Sequence, residues 1–192
     1  MARGLFVFLD TLYVLWLICD GTLNKTAVMS REKLEVSMIA YKVMEVIETI
    51  VSVFEDAAGC DGRGRTGGCL TVIGKGESHP VIFPVGVVPD MDDQTKYWNN
   101  SKEKAVRLAA NPNDVSCWIT RNADPKVKKY GGGIRALDGN IYAFSGLSEH
   151  WDEAVSAVTA NIVNPGSMTI EHVREIAKIS KNPDIVSFFL RW

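Results

Sequence analysis

The dipeptide Asp138-Gly139 does most to narrow the folds open to this chain. It separates two apolar runs, residues 130–137 and 141–147. Asp-Gly between apolar runs signals a hairpin, because the tight turn needs positive φ at its centre. A connection this short joins antiparallel neighbours; parallel strands need a crossover of a dozen residues or more. Three further strands are expected at residues 69–73, 81–88 and 115–120. Pro80, Pro84 and Pro89 punctuate the second of these, which places it at a sheet edge or a bulge. Five strands of this kind favour an α+β fold, a five-stranded antiparallel sheet flanked by helices, over a doubly wound one.

The helices are read from period and punctuation. Over residues 30–56, Leu34, Met38, Tyr41, Met44 and Ile47 recur at spacings of three and four. Val36, Ile39, Val43, Val46 and Ile50 form a second apolar stripe beside them. A helix apolar over most of its circumference is expected to be buried on two sides, one against a sheet and the other against a partner subunit. Residues 99–110 form a second helix, ended by Asn111-Pro112, and residues 149–163 a third, stopped by Asn164-Pro165-Gly166. Two further helical stretches, 169–179 and 183–192, make a C-terminal extension whose Phe188, Phe189 and Trp192 are unusually apolar. The chain is divided accordingly into residues 1–28, 29–164 and 165–192.

Composition bounds the function. With 192 residues the chain buries roughly 70% of its unfolded surface, so it needs neither disulfides nor a metal to hold together. Hydrophobic residues at 46% and charged residues at 23% exclude a disordered or fibrous protein. A net charge of −2 carries no footprint of DNA or RNA binding. Residues 4–19 are nearly all apolar but are interrupted by Asp10. They fall short of the ~20 residues of a membrane span. A targeting segment and an upstream extension ahead of a natural start at Met29 both fit them. The expected compartment is the cytoplasm; export or membrane anchoring follows only if this segment is a targeting one. In an exported chain Cys60 and Cys69 could close a small disulfide loop, whereas Cys19 and Cys117 lie in apolar runs as inert core residues.

Several short motifs, taken in order, resemble the GlcG/HbpS family, also called the haem-degrading or PduO C-terminal-like domain. Ser101-Lys102-Glu103-Lys104-Ala105 matches its helix motif of Ser, two variable residues and Lys-Ala. Gly131-Gly132-Gly133-Ile134 matches its glycine-rich strand entry. Gly139, Ser145-Gly146 and Asp152-Glu153-Ala154 match its hairpin, its Ser-Gly turn and the acidic start of its last helix. The similarity spans about residues 32–160. It implies a profilin-like fold, a homo-oligomer, and a small-organic-ligand-binding domain, with haem among the ligands and no evident catalytic centre. The alternative is an oligomeric structural or accessory subunit of a metabolic enzyme system. Arg135 stands where the family usually has proline, and the histidine that holds the family's haem near the first helix has no counterpart before His79.

The resemblance puts the ligand site at Lys104, Tyr130, Gly132, Gly133, Ser145, Gly146 and His150. The glycines would shape the pocket by letting backbone approach a ligand closely, while Lys104 and His150 orient an anionic ligand. Gly133→Val is accordingly expected to weaken binding more than stability. No acid, base and nucleophile set is recognisable, and no GxSxG elbow is present. Gly62-Arg63-Gly64-Arg65-Thr66-Gly67 fits the dinucleotide spacing but follows a helix and precedes a strand, the reverse of the required context. The acidic run 90–93 is read as a solvated loop, because it lacks the spacing of a calcium loop.

Overall fold

The computed structural model describes residues 31–53, 66–88, 90–122, 124 and 126–192. Contacts divide the chain at Lys42 and Val43, and the unit Val43–Trp192 holds the sheet and the candidate site. The expectations for residues 4–19, Ser30, Cys60 and the arginine-glycine loop up to Arg65 fall outside the described residues. Among the described residues no helix is long and apolar enough to cross a membrane.

Helix α1 spans Arg31–Val53. Val43, Val46, Ile47 and Ile50 are fully buried, whereas Met38 and Tyr41 are exposed. Strands β1 (Thr66–Ile73) and β2 (Val81–Val87) form an antiparallel hairpin in which Cys69 faces Pro84. Helix α2 spans Met91–Ala110, followed by a 3-10 turn at Cys117–Thr120. Strands β3 (Gly133–Arg135) and β4 (Ile141–Ser145) form the Asp138-Gly139 hairpin, with Gly139 at φ +88°. Helices α3 (Glu149–Val163), α4 (Ile170–Ser180) and α5 (Asp184–Phe189) complete the chain.

The result is an α+β protein with a four-stranded, wholly antiparallel sheet in the order β2-β1-β4-β3. β2, with its proline, lies at an edge, where a missing N–H costs no ladder bond. The register Thr71↔Ala143 and Ile73↔Ile141 sets these residues on one face, where Ile73, Ile141 and Ala143 pack with Ala105 and Leu108 of α2. α3 packs against β4 and β3. Residues Trp151 to Ala160 of α3 are all buried, because α5 also packs on this helix and sets Phe188 edge-on to Trp151 at 5.9 Å. The apolar C-terminus therefore covers its own chain: Ile185, Phe188 and Phe189 are buried, as are Val173 and Ile176 of α4.

Two expectations need correction. Residues 115–120 do not form a fifth strand; a single bridge, Ser116↔Ile134, is the only pairing this segment makes among the described residues. The alternation of Val115, Cys117 and Ile119 suits a strand, but the Ser116 hydroxyl accepts from Trp118 N at 3.3 Å and turns the chain. Arg107 then donates to both Cys117 O and Thr120 Oγ1 and holds that turn against α2. The second helix also begins eight residues earlier than expected. Asp90 caps it, accepting from Asp92 N at 2.7 Å, and Asp92 and Asp93 occupy the first turn, where the helix dipole favours anions. The acidic run is thus a helix start rather than a loop.

Candidate functional site

The site grows from a lysine in the buried stripe of α2. Tyr97, Ser101, Lys104, Ala105 and Leu108 share the face that α2 turns to the sheet. Lys104 is 1% exposed. Its ammonium donates to Asp152 Oδ2 at 2.7 Å and to Phe144 O at 2.8 Å. A buried ammonium is tolerable only when paired and hydrogen-bonded, and both partners come from other elements. β3 stops at Gly133, one residue before it would face Phe144. There the Phe144 N–H donates to Ser156 Oγ at 2.9 Å while its carbonyl accepts from Lys104. Side chains of α2 and α3 thus take the place of a longer β3.

Asp152, in the first turn of α3, is the counter-anion. Its Oδ1 accepts from Gly146 N at 3.1 Å and Leu147 N at 2.9 Å. Burial pushes this carboxyl up to about 6, against the opposing pull of Lys104 and the two N–H groups. Glu149, one turn earlier, accepts from Arg121 Nε and Nη2 at 2.7 and 2.8 Å and from Gly131 N. Burial works against the Glu149 anion, but Arg121 and the Gly131 N–H outweigh it and hold this carboxyl below its usual range.

Between α2 and the start of α3 lies a cleft of about 300 Å³. Lys104, Ser145 and Asp152 line it on the sheet side, and Tyr130, Asn100 and Glu149 line it further out. Arg107 fixes the Tyr130 backbone by donating to its carbonyl, and its other N–H groups go to Glu103, Cys117 O and Thr120. Among the described residues, the side chains of Asn100, Tyr130 and Ser145 make no intramolecular hydrogen bond. They are the cleft's unused donors and acceptors.

Three of the expected residues, Lys104, Tyr130 and Ser145, therefore line one cleft. The glycines act behind it. Gly132 adopts φ +105°, and a Cβ there would stand 2.5 Å from Asp152 Cβ, so glycine is what allows the ion pair to close. A Cβ on Gly146 would meet Gly67 O at 2.3 Å; this glycine lets β4 leave the sheet beside β1. Gly133 faces the core, where a Cβ would touch Ala143, Lys104 and Cys117 at 3.2 to 3.4 Å. Gly133→Val would therefore press on the core as well as on the cleft. His150 does not line the cleft. Its ring stacks on Trp118 at 4.8 Å, and its Nε2 lies 3.1 Å from Ser180 O. Nor is Lys104 free for a ligand anion, since Asp152 holds it.

Asn100, Glu149 and Arg107 were not singled out from sequence. Part of a signal for the ion pair was present: a lysine in the apolar stripe of α2 calls for a buried carboxylate, and the start of α3 offers Glu149, Asp152 and Glu153 as candidates.

A porphyrin needs a broad apolar slot and an axial ligand. This cleft presents mainly charged and hydroxylated groups, and the Tyr97 and Tyr130 phenols are the candidate axial oxygens in its lining. His150 is engaged as described, His172 Nε2 lies 2.8 Å from Arg135 O, and His79 pairs with Ser78 in an exposed turn. Among the described residues, no group of three His, Cys, Asp or Glu side chains could hold a metal ion. Comparison with protein-family models, curated proteins and solved structures finds no match to this chain.

Proposed function

We propose that this protein is a small-ligand-binding domain of the GlcG/HbpS, profilin-like kind, and that the α2–α3 cleft takes a small polar organic ligand without covalent chemistry. The observation that carries the reading is the convergence of Ser145, Asn100 and Tyr130 from three parts of the chain, each with its hydrogen-bonding groups unused, over a floor neutralised by the Lys104–Asp152 pair. Such a concave site with a few convergent polar groups is the ordinary form of a ligand pocket. The cleft lacks a free base beside a nucleophile: both carboxylates are already paired.

The test is a panel of small hydroxylated and amide-bearing compounds, plus haem, titrated into the full chain and followed by amide chemical shifts and visible absorbance. Saturable shifts at Asn100, Tyr130 and Ser145 that vanish in Ser145→Val are the expected result, with a flat Soret difference spectrum. A saturable Soret band lost in Tyr130→Phe would replace this reading with a haem site.

A second reading, assembly into an oligomer, draws on Met91, Trp98 and Val106, which are 75%, 41% and 46% exposed along one side of α2. Sedimentation over a range of concentrations tests it, with Trp98→Lys expected to abolish any self-association.

A further inference from the structure

The α2–α3 cleft does not end at Tyr130. A second depression of about 310 Å³ continues from it along α2 toward the helix start, and the two share Lys96, Asn100 and Tyr130. The Tyr130 side chain stands at the junction, while its carbonyl is held by Arg107. The two lobes differ in charge. In the inner lobe every charged group but the shared Lys96 is already matched at short range: Lys104 with Asp152 at 2.7 Å, and Glu149 with Arg121 at 2.7 Å. A ligand anion placed there would meet two carboxylates and would have to displace one of them to reach Lys104. An uncharged hydroxyl or amide would find Ser145 and Asn100 open.

The outer lobe is the reverse. The Lys96 side chain is 58% exposed, and its nearest carboxylate, Asp93, is 3.9 Å away. Lys128 lines the lobe from the opposite wall, on a backbone fixed at φ +52° by bonds from Val127 N and Lys128 N to Asp124 O. Lys126 and Lys129 beside it are also exposed. Against these lysines the lobe sets Asp92 as its acidic lining residue.

Resting on the ligand-binding reading above, we infer that the cleft is a two-lobed site for a small organic acid. Its uncharged hydrogen-bonding end lies at Ser145 in the inner lobe, its flat middle lies against Tyr130, and its carboxylate lies between Lys96 and Lys128. The outer lysines then select the ligand's charge, and the inner lobe reads its polar head.

The probes are 4-hydroxyphenylacetate and its neutral amide, 4-hydroxyphenylacetamide, titrated into the labelled full chain with affinities taken from amide shifts. Both should move Ser145 and Asn100. The acid should bind about tenfold tighter, as expected for two partly exposed charge contacts. In Lys96→Gln/Lys128→Gln, both at the surface, the advantage of the acid over the amide should vanish; added salt should act in the same direction. Equal affinity for acid and amide in the native chain, or a preference that survives the double substitution, overturns the organic-acid assignment and leaves the cleft standing as a site. No saturable shift at Ser145 or Asn100 with either probe in the millimolar range overturns the site and the inference together.

Discussion

Replacing Glu153 by glutamine should make this protein more stable at pH 8. Glu153 lies on α3 with no exposed surface. Its Oε1 accepts from Ser116 Oγ at 2.7 Å, and Oε2 has no hydrogen-bond partner. Ser180, Ser116 and Asn182 are close enough to favour the anion, and Lys104 adds a more distant pull, but burial dominates and pushes the carboxyl from 4.5 up to about 7. The folded chain therefore holds this proton more tightly than the unfolded chain does. Between pH 4.5 and about 7 the native state binds more protons, so stability falls as pH rises through that window and levels off above it. At 1.36 kcal/mol per pH unit, ionisation of Glu153 opposes folding by roughly 3 kcal/mol above pH 7. Glutamine keeps the carbonyl acceptor for Ser116 and removes the charge. Urea unfolding of both chains from pH 4 to pH 8 is the assay. The variant should match the wild type near pH 4, then gain on it up to about 3 kcal/mol by pH 8. A difference that does not change with pH, or a variant less stable at pH 8, would show that Glu153 is ionised and compensated in the folded chain.

Other outcomes follow from the same geometry. Lys104→Met leaves Asp152 as a buried, unmatched carboxylate and should cost about 3–5 kcal/mol in urea unfolding; a loss under about 1 kcal/mol would place the pair in contact with water. Adding Asp152→Leu should recover only part of that loss, because the Gly146 and Leu147 N–H groups lose their acceptor. Gly132→Ala must fit a Cβ at φ +105° against Asp152, so it should cost at least about 1–3 kcal/mol and reduce ligand affinity, both measurable on one sample. Arg107→Lys cannot reproduce the guanidinium fork that reaches Glu103, Cys117 O and Tyr130 O; faster hydrogen exchange at Tyr130–Gly133 is expected, and unchanged protection would deny Arg107 its positioning role. Burial pushes the Cys69 and Cys117 thiols up to about 11, so in a chain carrying Cys19→Ser and Cys60→Ser no thiol should react with a disulfide reagent at pH 7 until urea unfolds it.

Local sequence signals were enough for the sheet's antiparallel sense, the β3–β4 hairpin and the bounds of α3. Asp138-Gly139, the proline-marked edge of β2 and Asn164-Pro165-Gly166 act within a few residues of where they stand, so nothing distant could overrule them. The segment 115–120 shows the limit. Its alternation is that of a strand, but Arg107, ten residues earlier, supplies the donors that bend it into a turn. The site divides in the same way. Lys104, Tyr130 and Ser145 were legible as residues of interest, and Gly132 as a special backbone position. The arrangement that gives them meaning was not, because Lys104 and Asp152 are 48 residues apart and meet only when α2 and α3 close on the end of β4. His150 carried equal promise in the sequence and went to Trp118 and Ser180 instead. A side chain's chemistry belongs to its residue, but its partner, its burial and therefore its charge are set by whichever distant element the fold packs against it.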